Sequence, residues 1–197
     1  MNRIFARWFL ALITLFTFSA ALHAETEVFT LDNNHTYVAW TIKHLGFSTQ
    51  TGKWYASGQL VLDKDHMEKS KVDVTINVAD IVTGLPELDK HLKGKLFFDV
   101  EQFPKATFVS NKVIVEGKNK AKVEGVLTLR GVSKPVVLNV TFNKEAMNPI
   151  NNKMTVGFSA TATIKRSDFG MSSLLPALGD EVDLFVGAEA YQDKNHG

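Results

Sequence analysis

The chain has 197 residues, of which 45% are hydrophobic, and it carries a formal net charge of +1 and no cysteine. A charge so close to zero argues against nucleic acid or another polyanion as a partner. The absence of cysteine excludes a disulfide framework and a lipid-modified N-terminal cysteine. The length fits one domain with a substantial core.

The N-terminal segment has the pattern of a secretory signal peptide. Arg3 and Arg7 form a positive region, residues 8–18 form an apolar stretch, and small residues lead to Ala24. An apolar run of about eleven residues is much shorter than the roughly 20 that a membrane-spanning helix needs. We therefore expect a signal peptide over residues 1–24 and a mature domain over residues 25–197.

The first half of the mature chain alternates apolar and polar side chains, which predicts half-buried β-strands. Residues 37–44 form the first predicted strand, and a turn region lies between Gly46 and Gly52. A short strand over residues 59–62 ends at Asp63, and residues 72–78 show the clearest alternation of β-branched and polar residues. The predicted inward faces of the strands over residues 37–44 and 72–78 carry Val38, Trp40, Ile42, His44, Val72, Val74, Ile76 and Val78.

A short basic helix and an aromatic loop interrupt the strands. Pro86 suits the first turn of a helix, Leu85, Leu88 and Leu92 follow helical spacing, and Gly94 predicts the end of the helix. The loop that follows contains Phe97, Phe98 and Phe103. Such a cluster outside the strands suits the mouth of an apolar container.

Strand-like alternation resumes after this loop, with turn-forming residues such as Gly117-Lys118-Asn119 between the segments. An irregular segment, residues 167–179, is expected to form a lid or a helical turn. Many strands with short links favour an all-β, up-and-down antiparallel barrel over parallel βαβ units. The later predicted strands cover residues 107–115, 121–130, 136–142, 155–164 and 182–191.

Several segments, in order, match a known family. They are HTYVAWTIKHLG (35–46), DKHL (89–92), FFD (97–99), FPKATF (103–108), GVLTLRGVSKPV (125–136), IKRSDFG (164–170) and GDEV (179–182). In these segments the chain resembles the YceI-like proteins, which have a lipocalin fold and bind polyisoprenoid lipids. The resemblance spans His35 to Gln192, but residues 53–57 do not align, so Trp54 and Tyr55 receive no role from it.

The resemblance implies an elongated, eight-stranded antiparallel lipocalin-like barrel with one short helix and a loop insertion. It implies that the pore holds a long isoprenoid or fatty chain as ligand, with no other cofactor and no enzymatic reaction. With the signal peptide, it implies a periplasmic protein. A homodimer and a transient contact with a membrane surface stay open.

The residues themselves are compatible with this function. The interior of an eight-stranded barrel is either just filled by side chains or holds one slender ligand. We hypothesise that the protein binds, transports or sequesters a long-chain isoprenoid lipid such as a quinone precursor. The candidate ligand contacts are Val38, Trp40, Ile42, His44, Ile76, His91, Phe97, Phe98, Phe103, Phe108, Leu127, Phe142 and Phe158.

Other interpretations stay open at this point. The same apolar positions suit a filled barrel core, which would make the protein a structural or stress-related barrel without a ligand. His35, His44, Asp89 and His91 are residue types that bind zinc, although their spacing forms no local motif. The sequence contains no nucleophile elbow, HExxH helix or phosphate loop, and Asp168 beside Arg166 suits a turn ion pair better than a catalytic acid.

Overall fold

The computed structural model describes residues 26–193 of the chain. The predicted signal peptide and its cleavage after Ala24 lie outside this range and stay predictions. In the described part of the chain, no helix is long and apolar enough to cross a membrane.

The described residues form a single antiparallel sheet and one α-helix. The helix α1 spans Pro86–Lys93 and connects β4 to β5. The strands are β1 (Thr26–Leu31), β2 (Tyr37–His44), β3 (Ser48–Asp63), β4 (Lys71–Asn77), β5 (Lys105–Val115), β6 (Lys120–Leu129), β7 (Val132–Met147), β8 (Met154–Lys165) and β9 (Leu178–Tyr191).

The sheet closes on itself, as the sequence predicts. Strands β4 to β9 follow one another in order, β9 pairs with β2, β2 pairs with β3, and β3 pairs back to β4. Strand β1 pairs with the end of β3 and with the last residues of β9, so β1 and β2 occupy successive halves of one position in the ring. The nine strands therefore fill the eight positions of the predicted barrel.

Two features of the first strands were not predicted. Strand β1 is absent from the sequence interpretation, although its Phe29 and Leu31 are buried. Strand β3 begins at Ser48 rather than at residue 59, so Gly52 lies inside a strand and does not end a turn. The alternation of apolar and polar residues is not visible there, because one of the inward positions is Gly52. This residue has no side chain, and it faces the indole of Trp40.

Strand β7 is longer than predicted at both ends. It includes Pro135, which the sequence places in a turn. A proline has no N–H to donate to a neighbouring strand, so it is tolerated only where that donor is not needed. Pro135 pairs with Val126 of β6, whereas the pairing of β7 with β8 begins only at Asn139. At Pro135, β7 is therefore paired on one side only, so the missing N–H does not interrupt the pairing with a second strand.

The two ends of the barrel differ in how they are filled. We call the end that carries α1 the helix end; the β2–β3, β6–β7 and β8–β9 connections also lie there. At the opposite, far end, Phe29, Leu31, Leu60, Leu62 and Val156 form a compact buried cluster. Side chains thus fill the far end, and the cavity lies at the helix end.

Candidate functional site

An apolar cavity of about 680 Å³ lies inside the helix end of the barrel. Volumes of this size are typical of sites for small organic ligands. The lining side chains come from β2, β3, β4, β5, β6, β8 and β9, from α1, from residues 171–178, and from Leu45, Val78, Leu85, Phe97, Phe98 and Arg166 in the connections. The polar residues among them are His44, Gln50, His91 and Arg166.

Helix α1 covers one side of the cavity opening. It begins at Pro86 in the first turn and ends at Gly94, whose N–H donates to the carbonyl of His91 at 3.1 Å. Leu85, Leu88 and Leu92 all line the cavity, which is what their helical spacing predicts. The sequence interpretation of this helix is therefore confirmed.

An aromatic wall is built around Trp54. Its ring lies 6.3 Å from the ring of Trp40 and makes an edge contact at 5.1 Å with Phe98. Its indole Nε1 donates to the carbonyl of Val78 at 3.0 Å, which fixes the ring orientation and satisfies its donor. Edge-to-face contacts of this kind favour one arrangement of the rings. The wall is thus a rigid surface against which an apolar ligand can pack.

Gly52 makes room for this wall. It pairs with Trp40 across β2 and β3, and a Cβ atom on Gly52 would lie 2.5 Å from the Cζ2 atom of the indole. The Trp40 ring can therefore lie close to the β3 backbone only because position 52 has no side chain. The glycine sets the position of one wall of the cavity.

A lid closes the other side of the opening, and Arg166 holds it in place. The lid is residues 170–178, which follow a short 3₁₀ helix at Arg166–Phe169. Arg166 is 4% exposed, and its guanidinium donates to the backbone carbonyls of Met171, Ser173, Leu178 and Gly179. The expected ion pair with Asp168 is wrong, because the guanidinium turns inward to these carbonyls instead.

Asp180 fixes the base of the lid. Its carboxylate accepts hydrogen bonds from the backbone N–H and the hydroxyl of Ser167, at 2.9 and 2.8 Å. The backbone N–H of Ser167 is the main reason that the pKa of Asp180 lies below its usual value, and the charge of Arg166 acts in the same direction. Burial lowers the pKa of Arg166, and the charge of Asp180 partly offsets this effect.

The floor of the cavity is a layer of side chains in the middle of the barrel. Phe108, Val136 and Ala162 form a buried cluster. Leu127 and Leu184, which line the cavity, pack against this cluster. Along β5, Ala106 lines the cavity, and Phe108, two residues further along, belongs to the floor. The cavity therefore ends at Phe108.

The structure brings most of the predicted contact residues to one place. The aromatic loop contributes Phe97, whose ring contacts that of His91 at 5.0 Å. The predicted contacts that line the cavity are Val38, Trp40, Ile42, His44, Ile76, His91, Phe97, Phe98 and Leu127.

The other four predicted contacts, Phe103, Phe108, Phe142 and Phe158, are not among the lining residues, although Phe108 lies in the layer that closes the bottom of the cavity. Phe103 packs against the β6–β7 turn, where a Cβ atom on Gly131 would lie 2.6 Å from its ring. Phe108 forms the floor, and Phe142 and Phe158 pair at 5.6 Å between β7 and β8, nearer the far end. Alternation predicts that a side chain points inward, but it does not predict its height along the barrel axis.

Several lining residues were not predicted. Trp54 has an inward position in the part of β3 between the predicted turn and the strand predicted from residue 59, to which the sequence interpretation gives no structure. The lid residues Met171, Leu174 and Leu178 follow no regular pattern, so only their apolar character could have indicated them. The other lining residues that were not among the candidate ligand contacts include Gln50, Val78, Leu85, Leu88, Leu92, Leu129, Ile164, Arg166, Val182 and Leu184.

The proposed zinc ligands do not come together. His35 and His44 flank opposite ends of β2, and His35 pairs with Asp32 at 2.8 Å. Asp89 accepts hydrogen bonds from the backbone N–H and hydroxyl of Thr83. Within residues 26–193, no group of three or more histidine, aspartate or glutamate side chains is placed to hold a metal ion.

Comparison with known proteins decides the family. The model of the YceI-like domain matches residues 29–190. The chain belongs to the YceI-like family. This match covers every described strand of the barrel together with α1 and the lid, although β1 and β9 each extend slightly beyond it.

Individual relatives agree with this assignment. A UPF0312 protein of Photorhabdus laumondii is 36% identical over 177 residues, which cover 89% of this chain and 91% of the relative. The crystal structure of a Campylobacter jejuni YCEI protein is 34% identical, with a TM-score of 0.70 over 77% of this chain and 90% of that one. A polyisoprenoid-binding domain from Saccharophagus degradans, implicated in plant cell wall breakdown, shares the fold at 12% identity, with a TM-score of 0.63 over 84% of this chain and 98% of that domain.

Proposed function

We propose that this protein binds a long-chain isoprenoid lipid in its cavity and carries or sequesters it in the periplasm. The observation that carries the proposal is the cavity itself, an apolar volume of about 680 Å³ under a helix and a lid. A barrel core without a ligand would be filled at both ends, because packed interiors leave few voids larger than a water molecule. The membership in the YceI-like family and the described ligand class of the Saccharophagus domain support the ligand class.

The distribution of polar groups supports an amphiphilic ligand with its head at the opening. His44 ends β2, Gln50 is close to the start of β3, and Arg166 follows β8, so all three lie at the helix end. His91 lies on α1 at the same end. A neutral histidine both donates and accepts hydrogen bonds, which suits a hydroxyl, carbonyl or phosphate head. The hydrocarbon tail then points towards Phe108.

The volume limits the length of the tail. A cavity of about 150 Å³ holds benzene, which corresponds to about 25 Å³ for each carbon atom. By this scale the cavity of about 680 Å³ accepts roughly 27 carbon atoms. That number corresponds to about five isoprene units. A longer chain would have to extend through the opening.

The apolar tail supplies the binding free energy. Each buried methylene contributes about 0.8 kcal/mol, whereas association costs about 4–15 kcal/mol. A buried tail of about 15 carbon atoms gains about 12 kcal/mol by the same scale, and a full cavity gains more. Binding therefore depends mainly on the buried length of the tail, and no covalent step is part of the proposed function.

The first test is the identification of a natural ligand. Protein purified without detergent from the periplasmic fraction should carry a hydrophobic adduct in native mass spectrometry, and solvent extraction should release an isoprenoid. The same fractionation tests the predicted export. A clean apo mass before any delipidation step would count strongly against the proposal.

The second test uses two neighbouring residues on β9. Leu184 lines the cavity, and Phe185 is half-exposed on the outside of the barrel. We expect Leu184→Asp to lower the affinity for a four-unit isoprenoid alcohol more than tenfold, because a carboxylate in the cavity is costly to desolvate. The matched variant Phe185→Asp should bind within twofold of the unmodified protein. Equal affinities for both variants, when both are folded by circular dichroism, would place the ligand elsewhere.

A further inference from the structure

Large apolar side chains are exposed around the cavity opening. Phe47, in the β2–β3 turn, is 91% exposed, and Leu174, in the lid, is 63% exposed. Leu45 and Leu85 are also more than half exposed. Leu45, Leu85 and Leu174 line the cavity as well, so they form its rim. The apolar surface of the cavity therefore continues without a break onto the outside of the protein.

The β2–β3 turn and the lid that carry these residues are joined. The backbone N–H of Leu45 donates to the carbonyl of Ala177 at 3.0 Å, which connects the turn to the lid. The backbone N–H of Phe47 donates to the carbonyl of His44, which closes the turn itself. We call the four residues Leu45, Phe47, Leu85 and Leu174 the apolar tip. Backbone hydrogen bonds therefore fix the β2–β3 turn that carries Leu45 and Phe47.

Positive charges lie beside the apolar tip. Leu88 and Leu92 of α1 line the cavity, whereas Lys90 is exposed on the outer face of the helix. Lys93 ends α1, and Lys95 follows it with an exposed side chain. In the described part of the chain, none of these three ammonium groups lies within salt-bridge distance of a carboxylate. Ammonium groups placed beside an apolar surface are complementary to anionic phospholipid headgroups.

We propose that the apolar tip inserts into the surface of an anionic lipid bilayer and that the ligand enters and leaves the cavity there. The inference rests on the proposed function and adds the partner from which the ligand comes. An isoprenoid tail is costly to expose to water, so its transfer is favoured when the cavity rim touches the hydrocarbon directly. The tip supplies that contact, and the lysines orient the helix end towards the headgroups.

The test compares Phe47 with Ile150, its counterpart at the far end of the barrel. Ile150 lies in the β7–β8 turn and is 92% exposed, so the two residues differ in location but not in exposure. Vesicles of phosphatidylethanolamine and phosphatidylglycerol are mixed with each protein and sedimented. We expect Phe47→Asp to lower the bound fraction at least tenfold and to slow ligand transfer from vesicles by a similar factor. Ile150→Asp should match the unmodified protein in both measurements.

Further measurements separate this inference from the proposed function. Both variants should bind a soluble, short isoprenoid alcohol with unchanged affinity, because neither residue lines the cavity. Phe47→Trp should keep vesicle binding and show a blue shift of its emission on insertion, and raised salt should weaken binding by screening the lysines. If the unmodified protein does not bind the alcohol, the proposed function itself is contradicted.

Three results would overturn the inference while leaving the proposed function intact. One is an absence of vesicle binding by the unmodified protein. Another is an equal loss of vesicle binding in Phe47→Asp and Ile150→Asp. The third is a dimer of the unmodified protein that Phe47→Asp dissociates without any change in vesicle binding, since the tip would then contact a second copy of the chain.

Discussion

Phe108 lies directly against the backbone of Gly125, with which it shares the floor of the cavity. A Cβ atom on Gly125 would come within 2.4 Å of the Cζ atom of the phenylalanine ring. Phe108, on β5, also packs with Val136 of β7 and Ala162 of β8, so its ring reaches across the middle of the barrel. The absence of a side chain at position 125 thus allows one ring to separate the cavity from the filled far end.

Removal of this ring should change the length of ligand that the protein accepts. Phe108→Ala deletes most of the floor. We expect the affinity to rise with the length of the alcohol up to six isoprene units in this variant, instead of up to five in the unmodified protein. The substitution should also lower the free energy of unfolding by about 3–5 kcal/mol, as is typical of a buried Phe→Ala change. Alcohols of three to nine units, measured by quenching of tryptophan emission, give the length dependence.

Phe158→Ala is the matched control for this prediction. Phe158 is a partly buried phenylalanine of the barrel interior that pairs with Phe142 and lies nearer the far end than Phe108. We expect a loss of stability but an unchanged dependence on chain length. If both variants shift the preferred length equally, Phe108 does not set the floor.

The two strand glycines Gly52 and Gly157 should respond in opposite ways to alanine. In Gly52→Ala the new methyl group meets Trp40, which should lower the free energy of unfolding by about 1–3 kcal/mol. In Gly157→Ala the nearest atoms lie at 3.9 Å, so the lower entropy of the unfolded chain should stabilise the protein by about 0.5 kcal/mol. Urea unfolding of the unmodified protein and the two variants gives the sign of each change in the free energy of unfolding. A Gly52→Ala protein of unchanged stability would show that Trp40 is free to move.

Arg166 should hold the lid closed. Arg166→Met leaves four backbone carbonyls without their donor and should lower the free energy of unfolding by about 3 kcal/mol or more. Amide hydrogens of residues 170–178 should exchange at least tenfold faster, as measured by mass spectrometry. Arg130→Met removes a single hydrogen bond to the lid, at Gly170, and one to Lys95, so it should have a smaller effect on the exchange of the lid. Protection of the lid that is unchanged in Arg166→Met would refute this role.

The Ser167–Asp180 hydrogen bonds should make the lid sensitive to acid. The pKa of Asp180 is lowered in the folded protein, mainly by the backbone N–H of Ser167, so the ionised carboxylate stabilises the fold. This contribution is complete above the unfolded pKa of about 3.9 and disappears as the pH falls through the lower folded value. Asp180→Asn should therefore lose less stability than the unmodified protein between about pH 4 and pH 2. Parallel urea midpoints across that range would contradict the prediction.

The sequence predicted the structure correctly where a single local pattern, such as helical spacing or strand alternation, determines it. Helix α1 follows from Pro86, Leu88, Leu92 and Gly94, because their helical spacing and termination signals all agree. The inward face of β2 follows from strict alternation, since each of its four inward residues lines the cavity.

Predictions from the sequence were wrong or incomplete where the local structure depends on contacts with residues that are distant in the chain. Gly52 lacks a side chain because Trp40 occupies its space, so strand β3 looked like a turn. Arg166 binds three carbonyls of the lid and that of Gly179, and no periodicity in the sequence predicts the path of the lid. The height of Phe108 and Phe158 along the barrel depends on strand register, which pairs residues far apart in the chain.

The central claim is that hydrocarbon occupies the space between the aromatic wall and Phe108. A crystal structure of the delipidated protein soaked with a five-unit isoprenoid alcohol tests this most directly. We expect continuous density for the tail from the opening beside His91, past Trp54, to the ring of Phe108. An empty or water-filled cavity in a crystal that holds the alcohol elsewhere would contradict the account.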